Sequence, residues 1–186
     1  MDDLKIIESC LLGNTQMFSR LIDNYKNMVY NLAYRMSNNP QEAEDISQEA
    51  FLHTYQSLAR FNPSYKFSTW LYQITLNIIR DRFKKKELNY VSLDTPIETE
   101  DSEFYHQPAD LINNPEQIII QQEDSQTIQQ AIYSLPLKYR EVLVLRHLQD
   151  LSYIEISNIL KLPQGTVKIR LYRAREQLKK ILENNI

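Results

Sequence analysis

The chain has 186 residues, 42% of them hydrophobic and 24% charged, with a formal net charge of −3, the balance of a globular chain holding one ordinary domain or two small ones. Its only glycines are Gly13 and Gly165, which excludes Gly-rich phosphate loops and argues against a sheet protein full of tight turns. The expected class is all-α. Cys10 is the single cysteine and His53, His106 and His147 are scattered, so no internal disulfide, metal site or cofactor is expected. The start Met-Asp-Asp lacks an apolar signal core, and no apolar run approaches the roughly 20 residues of a bilayer span. A reducing, cytoplasmic setting without membrane insertion is the expectation.

Charge is strongly segregated along the chain. Residues 1–86 carry 11 basic and 9 acidic side chains, and residues 127–186 carry 10 and 5. Between them, residues 87–126 carry 10 acidic side chains and no basic one. Two near-neutral or basic blocks flank an acidic strip, which the overall charge conceals.

In chain order, Leu4, Ile6, Ile7 and Leu11 predict a short amphipathic helix stopped by Gly13. Phe18, Leu21, Tyr25, Val29 (or Met28), Leu32 and Met36 predict a longer one, ended by Asn38-Asn39-Pro40. The third helix places Ala43, Ile46, Ala50, Phe51, Thr54 and Leu58 on one side. Its start carries Glu42, Glu44, Asp45, Gln48 and Glu49, and acidic residues in a first turn suit the positive end of a helix dipole. Residues 60–66 read as a loop around Asn62-Pro63-Ser64, and a fourth helix is expected from Phe67 to about Lys86. Residues 88–115 hold Pro96, Pro108 and Pro115 with little periodicity and read as a flexible acidic linker. Helical pattern resumes near Pro115 through Ile118, Ile119, Ile128 and Ile132. Pro136 starts the next helix, with Val142, Leu143, Leu145 and Leu148 expected in the core.

The C-terminal stretch is the most informative. Ser152-Tyr153-Ile154-Glu155 fits a capping box, and the helix it opens is expected to end near Leu160. Lys161-Leu162-Pro163 makes a turn in which Pro163 suits a first-turn helical position. The last helix puts Val167, Leu171, Ala174 and Leu178 on one face, and Gln164, Thr166, Lys168, Arg170, Arg173 and Arg175 elsewhere. A short capped helix, a tight turn and a basic amphipathic helix make a helix-turn-helix.

In such a unit, Lys and Arg neutralise phosphates while Gln164, Thr166, Lys168 and Arg170 approach base edges; which of them reads a base stays open. Gly165 would let the helix start lie close to a phosphate or to the supporting helix. A second candidate is Phe61, Tyr65, Phe67, Trp70 and Tyr72, interspersed with Arg60 and Lys66 and followed by Arg80, Arg82, Lys84, Lys85 and Lys86. Rings beside cations suit either a core or unstacked bases, and Asn77 and Asp81 are polar residues one turn apart that could meet base edges. Residues 42–49 scatter their carboxylates over more than one helix face without a histidine, so a partner-facing surface is expected there, not an active site.

The residues carry a resemblance. Residues 42–52 (EAEDISQEAFL) and 67–74 (FSTWLYQI), with Asn77 and Asp81, resemble the second conserved region of bacterial RNA polymerase sigma factors. Leu135-Pro136, Arg140, Leu145, Ser152-Tyr153, Glu155-Ile156 and residues 163–175 resemble the fourth. The likeness covers roughly residues 15–86 and 125–182, and the chain is similar to the compact extracytoplasmic-function group of the sigma-70 family. It departs from the pattern at Ile169, where Ser is common, and at Gln149-Asp150, where Gly is common; those positions bear on promoter sequence, not on fold.

The resemblance implies a dissociable initiation subunit rather than an enzyme. Residues 1–87 would form region 2 and residues 116–186 region 4, joined by the linker 88–115. RNA polymerase core would be met by Glu42, Asp45, Gln48 and Glu49 at the clamp of its largest subunit, and by the second domain at the flap. Arg60, Phe61, Tyr65, Lys66, Trp70, Asn77, Arg80 and Asp81 would take the single-stranded minus-ten element. Gln164, Gly165, Thr166, Lys168, Ile169, Arg170 and Arg173 would take the minus-thirty-five duplex. An anti-sigma factor is a further expected partner. Two rival readings are a stand-alone helix-turn-helix regulator, which leaves the aromatic loop unexplained, and a metal-dependent nucleic-acid enzyme using the carboxylates of residues 42–49.

Overall fold

The computed structural model describes residues 2–91 and 125–183. Its elements are helices α1 (Asp3–Leu11), α2 (Phe18–Ser37), α3 (Pro40–Gln56), α4 (Phe67–Val91), α5 (Ser125–Tyr133), α6 (Leu137–His147), α7 (Tyr153–Leu160) and α8 (Gln164–Glu183), with two short 3₁₀ turns at Thr15–Met17 and Leu58–Arg60. The all-helical expectation holds for the described residues. The expected linker and the helical pattern at Ile118 and Ile119 fall on residues 92–124, outside them. Residues 88–91, read as the start of that linker, instead prolong α4 beyond Lys86. Nothing in Glu87-Leu88-Asn89-Tyr90 breaks a helix, since neither Pro nor Gly occurs there.

Local chemistry sets most of the boundaries. The Asp2 side chain accepts from the Leu4 amide to open α1, and Gly13, at φ +102°, turns the chain after it. Asn38 ends α2 in the left-handed conformation at φ 54°. Asn39 then caps α3 by accepting from the Glu42 amide at 3.0 Å, with Pro40 at the first helical position. The Ser152–Glu155 capping box forms in full at the start of α7.

Helices α2, α3 and α4 pack on one another, and α8 packs on α6 and α7. Leu21, Leu32, Met36, Ile46, Leu71, Leu76 and Ile79 are fully buried in the first half, and Leu145, Ile156 and Leu171 in the second. Each such side chain contributes roughly 1.5–3 kcal/mol relative to exposure. These residues form one continuous hydrophobic cluster running through both halves. Helix α4 explains how: α2 and α3 cover one side of it, and α7 packs against another. Apolar side chains therefore recur around α4, with Tyr72 and Ile78 buried as well as Leu76 and Ile79.

Three expectations are corrected. Leu148 is exposed, because it is the C-cap residue, past the last turn of α6 that would have turned it inward. Pro163 lies just ahead of α8, its carbonyl accepting from the Val167 amide at 3.1 Å, rather than inside the first turn. Gly165 faces open space with nothing within 4 Å of a built Cβ, so the supporting helix does not require a glycine there.

Candidate nucleic-acid and polymerase interfaces

Helix α8 separates its two duties by face. Val167, Leu171 and Ala174 are buried against α6 and α7, and Leu178 is half-buried. Gln164, Gly165, Lys168 and Arg173 are exposed, while Thr166, Ile169 and Arg170 are half-buried. The Lys168 ammonium lies 6.0 Å from the centre of the Tyr153 ring, and the Arg146 guanidinium lies 5.4 Å from the same ring. Arg175 points back to α6, where its Nε donates to His147 Nε2 at 3.2 Å. Burial, and then the neighbouring Arg175 and Arg146, hold the His147 pKa below its ordinary value.

The aromatic loop resolves into a packed part and an open part. The Phe61 ring centre lies 5.3 Å from that of Trp70 in a tilted arrangement and 5.8 Å from that of Phe67 edge-to-face, and Phe67 lies 5.2 Å from Tyr25. Phe61 and Trp70 are half-buried in this ring cluster, whereas Tyr65 is 55% exposed, with Arg60 and Lys66 exposed near it. A recess of about 400 Å³ opens between Tyr25, Tyr65, Lys66, Phe67 and the N-terminal Asp2 and Asp3. Asn77 and Asp81 are exposed on α4, and Asn77 Oδ1 accepts from Arg80 Nη1 at 3.2 Å.

The acidic surface of α3 is partly engaged within the chain. Glu42 accepts from Lys86 Nζ at 2.8 Å, and Glu49 accepts from Arg82 Nη2 at 2.6 Å. Asp45 and Gln48 are exposed and face outward. Among the described residues no group of three or more His, Cys, Asp or Glu could hold a metal ion.

Contacts between the two halves were not legible in the sequence. Lys66 Nζ pairs with Glu155 Oε1 at 2.8 Å, Tyr72 Oη donates to Gln149 Oε1 at 2.9 Å, and Gln73 Nε2 donates to the Asn158 carbonyl at 2.9 Å. Arg80 grips Glu141 with two parallel bonds of 2.6 and 3.0 Å. Glu141 is only 3% exposed, an uncommon place for a carboxylate without a bound cation. Burial pushes the Tyr72 phenol up to about 12, with the Glu155 charge adding to it.

Two helical units, the second ending in a capped helix-turn-helix with a basic outer face, define an all-helical DNA-binding protein. Comparison with known proteins makes that class specific. The Sigma-70 region 2 family matches residues 21–88, and the Sigma-70 region 4 family matches residues 125–178. The chain is 44% identical over 181 residues to the ECF RNA polymerase sigma factor SigW of Bacillus subtilis, covering 97% of this chain and 96% of that one. It is 33% identical to the RNA polymerase sigma-H factor of Pseudomonas aeruginosa, with 97% and 94% covered. Among solved structures, CnrH in complex with the cytosolic domain of CnrY superposes with a TM-score of 0.67 at 21% identity, over 97% of both chains. The sigma factor RpoE of Bartonella quintana, in complex with the anti-sigma factor NepR, gives 0.67 at 21% identity, over 89% of this chain and 96% of that one. The chain belongs to the ECF group of the sigma-70 family: it is an RNA polymerase sigma factor directing transcription initiation, not an enzyme. No helix among the described residues is long and apolar enough to cross a membrane.

Proposed function

We propose that the first unit, ending with α4, binds the polymerase clamp and opens the minus-ten element, and that α5 to α8 bind the minus-thirty-five duplex and the flap. The observation that carries this division is the two-faced α8, which buries Val167, Leu171 and Ala174 and leaves Lys168 and Arg173 free to meet a groove. Gln164, Gly165, Thr166, Ile169 and Arg170 complete that surface, and the open space over Gly165 admits a phosphate. On the first unit, Arg60, Phe61, Tyr65, Lys66, Trp70, Asn77, Arg80 and Asp81 take the opened strand. The recess beside Tyr65 supplies room for an extruded base. Glu42, Asp45, Gln48 and Glu49 face the clamp. The acidic residues 87–126 would be repelled by free DNA and instead follow a basic path in polymerase. Two footholds on one promoter raise each other's effective concentration.

An anti-sigma factor is a natural further partner, supported by the fold shared with CnrH and RpoE, each solved with such a protein or a cytosolic partner domain. The setting we infer is the cytoplasm. The test of the division is Lys168→Ala or Arg170→Ala in holoenzyme. Either change should weaken minus-thirty-five duplex binding by about 1–3 kcal/mol if it removes a bidentate base contact. Capture of a single-stranded promoter oligonucleotide should be unaffected, and equal loss in both assays would mean that the two surfaces are wrongly assigned.

A further inference from the structure

Lys66, the residue just ahead of α4, and Trp70, Gln73, Asn77 and Arg80 within it follow one another at intervals of three and four residues, so they line a single stripe of the helix. That stripe contains proposed minus-ten contacts, and it is also where the second half docks. Lys66 is taken by Glu155, Gln73 by the Asn158 carbonyl and Arg80 by Glu141. Arg80 Nη1 at the same time holds Asn77 Oδ1, the proposed base-reading amide.

We propose that in the free chain the second half occludes the minus-ten surface by imitating DNA, with the Glu141 and Glu155 carboxylates occupying the cations that promoter phosphates would otherwise engage. The chemistry of exchange is direct, because an Arg fork accepts a carboxylate and a phosphate in the same bidentate geometry. Strand and second half then compete for one stripe, and single-stranded DNA binds only the fraction of molecules that is open. This inference rests on the minus-ten assignment of α4.

The test uses the full chain at fixed moderate salt and a fluorescent 20-nucleotide single strand of random sequence. Glu141→Gln with Glu155→Gln keeps side-chain size and leaves an acceptor for the Ser152 cap while removing both charges. This variant should bind the strand about tenfold more tightly, as for a wild type open in roughly one molecule in ten. Adding Lys66→Gln and Arg80→Gln should abolish that gain. A second readout needs neither carboxylate variant: dyes on Lys26→Cys and Lys161→Cys, with the buried Cys10 left in place, should move apart when the strand saturates the chain. A bound strand with an unchanged dye distance overturns the occlusion, as does an unchanged affinity in the folded double carboxylate variant. If Lys66→Gln with Arg80→Gln still weakens strand binding in the otherwise wild-type chain, the minus-ten assignment survives that failure. If it has no effect in any background, the assignment falls and takes the occlusion with it.

Discussion

Arg140 Nη1 donates to the Met36 carbonyl at 2.6 Å, so a cation from α6 closes the C-terminal end of α2, 104 residues earlier in the chain. The last carbonyls of a helix have no partner within it, and they form the negative end of its dipole. Gln129 assists from α5, donating to the Arg35 carbonyl at 3.2 Å. Arg140 also donates to the carbonyls of Tyr133 and Leu135, and its guanidinium lies 4.4 Å from the Tyr133 ring centre and 5.1 Å from that of Phe83. It is only 5% exposed, and burial lowers its pKa from the ordinary arginine value. Carbonyls, a helix dipole and two ring faces replace the water this cation has lost.

Arg140→Met should therefore destabilise the chain although it puts an apolar side chain in a buried position. Each carbonyl left buried without a donor costs about 1–3 kcal/mol, partly offset because the charge no longer has to be desolvated. A net loss of about 2–4 kcal/mol is expected, read as a lower urea midpoint. An unchanged midpoint would mean that water or a neighbouring donor takes over these carbonyls.

The Lys66–Glu155 pair predicts a pH dependence. Hydrogen bonding from Lys66, then from the Ser152 amide and hydroxyl, holds Glu155 at about 2, below the ordinary carboxylate range. A carboxyl whose pKa is depressed on folding adds stability above its unfolded pKa, near 4.5, and loses it as pH falls from there towards 2. Wild type should thus lose stability across that window more steeply than Glu155→Gln. Lys66→Met should move the Glu155 carboxyl upward in an NMR titration, and an unmoved carboxyl would assign the depression to the Ser152 cap alone.

What the sequence made legible was what depends on near neighbours. Asn38-Asn39-Pro40, Ser152 with Glu155, and Gly13 each act within a few residues, so the helix stops and the capping box could be read directly. The face of α8 followed from its periodicity in the same way. The pairs Arg80–Glu141, Lys66–Glu155 and Arg140–Met36 span 61, 89 and 104 residues, and nothing local in a charged side chain names so distant a partner. Residues 42–49 show the same limit: their carboxylates were visible, but not that Glu42 and Glu49 are already held by Lys86 and Arg82. Leu148 looked like core because its spacing continues α6, while the helix itself stops one residue earlier.

Those internal pairs make Asp45 the cleaner probe of polymerase binding. It is exposed, and its carboxylate accepts from Gln41 Nε2 at a marginal 3.5 Å. Asp45→Ala should weaken core binding in a salt-dependent way while leaving thermal stability within about 0.5 kcal/mol of wild type. Glu49→Ala should show a mixed effect, because it also frees Arg82 from a surface pair worth about 0–1 kcal/mol. Unaltered core affinity for Asp45→Ala in a pull-down at moderate salt would remove this face of α3 from the interface.

Strand opening offers the sharpest test of α4. An extruded base leaves its stack at a cost of a few kcal/mol, so the protein must supply replacement contacts. Trp70 is a compromised probe, since its ring also packs on Phe61 and Phe67 and its loss would disturb the loop. Asn77 is exposed, lies two turns from Trp70 on the same stripe, and carries both an amide donor and an acceptor. Its one contact of note, from Arg80, is a surface bond whose loss folding should tolerate. Asn77→Ala should therefore preserve stability, core binding and minus-thirty-five binding, yet slow open-complex formation by holoenzyme. The defect should shrink on a promoter whose minus-ten segment is already mismatched, because the opening cost has then been removed. Opening at the wild-type rate on duplex promoters, followed by permanganate reactivity, would exclude Asn77 from the melting site and leave Tyr65 and the recess beside it as the place to look.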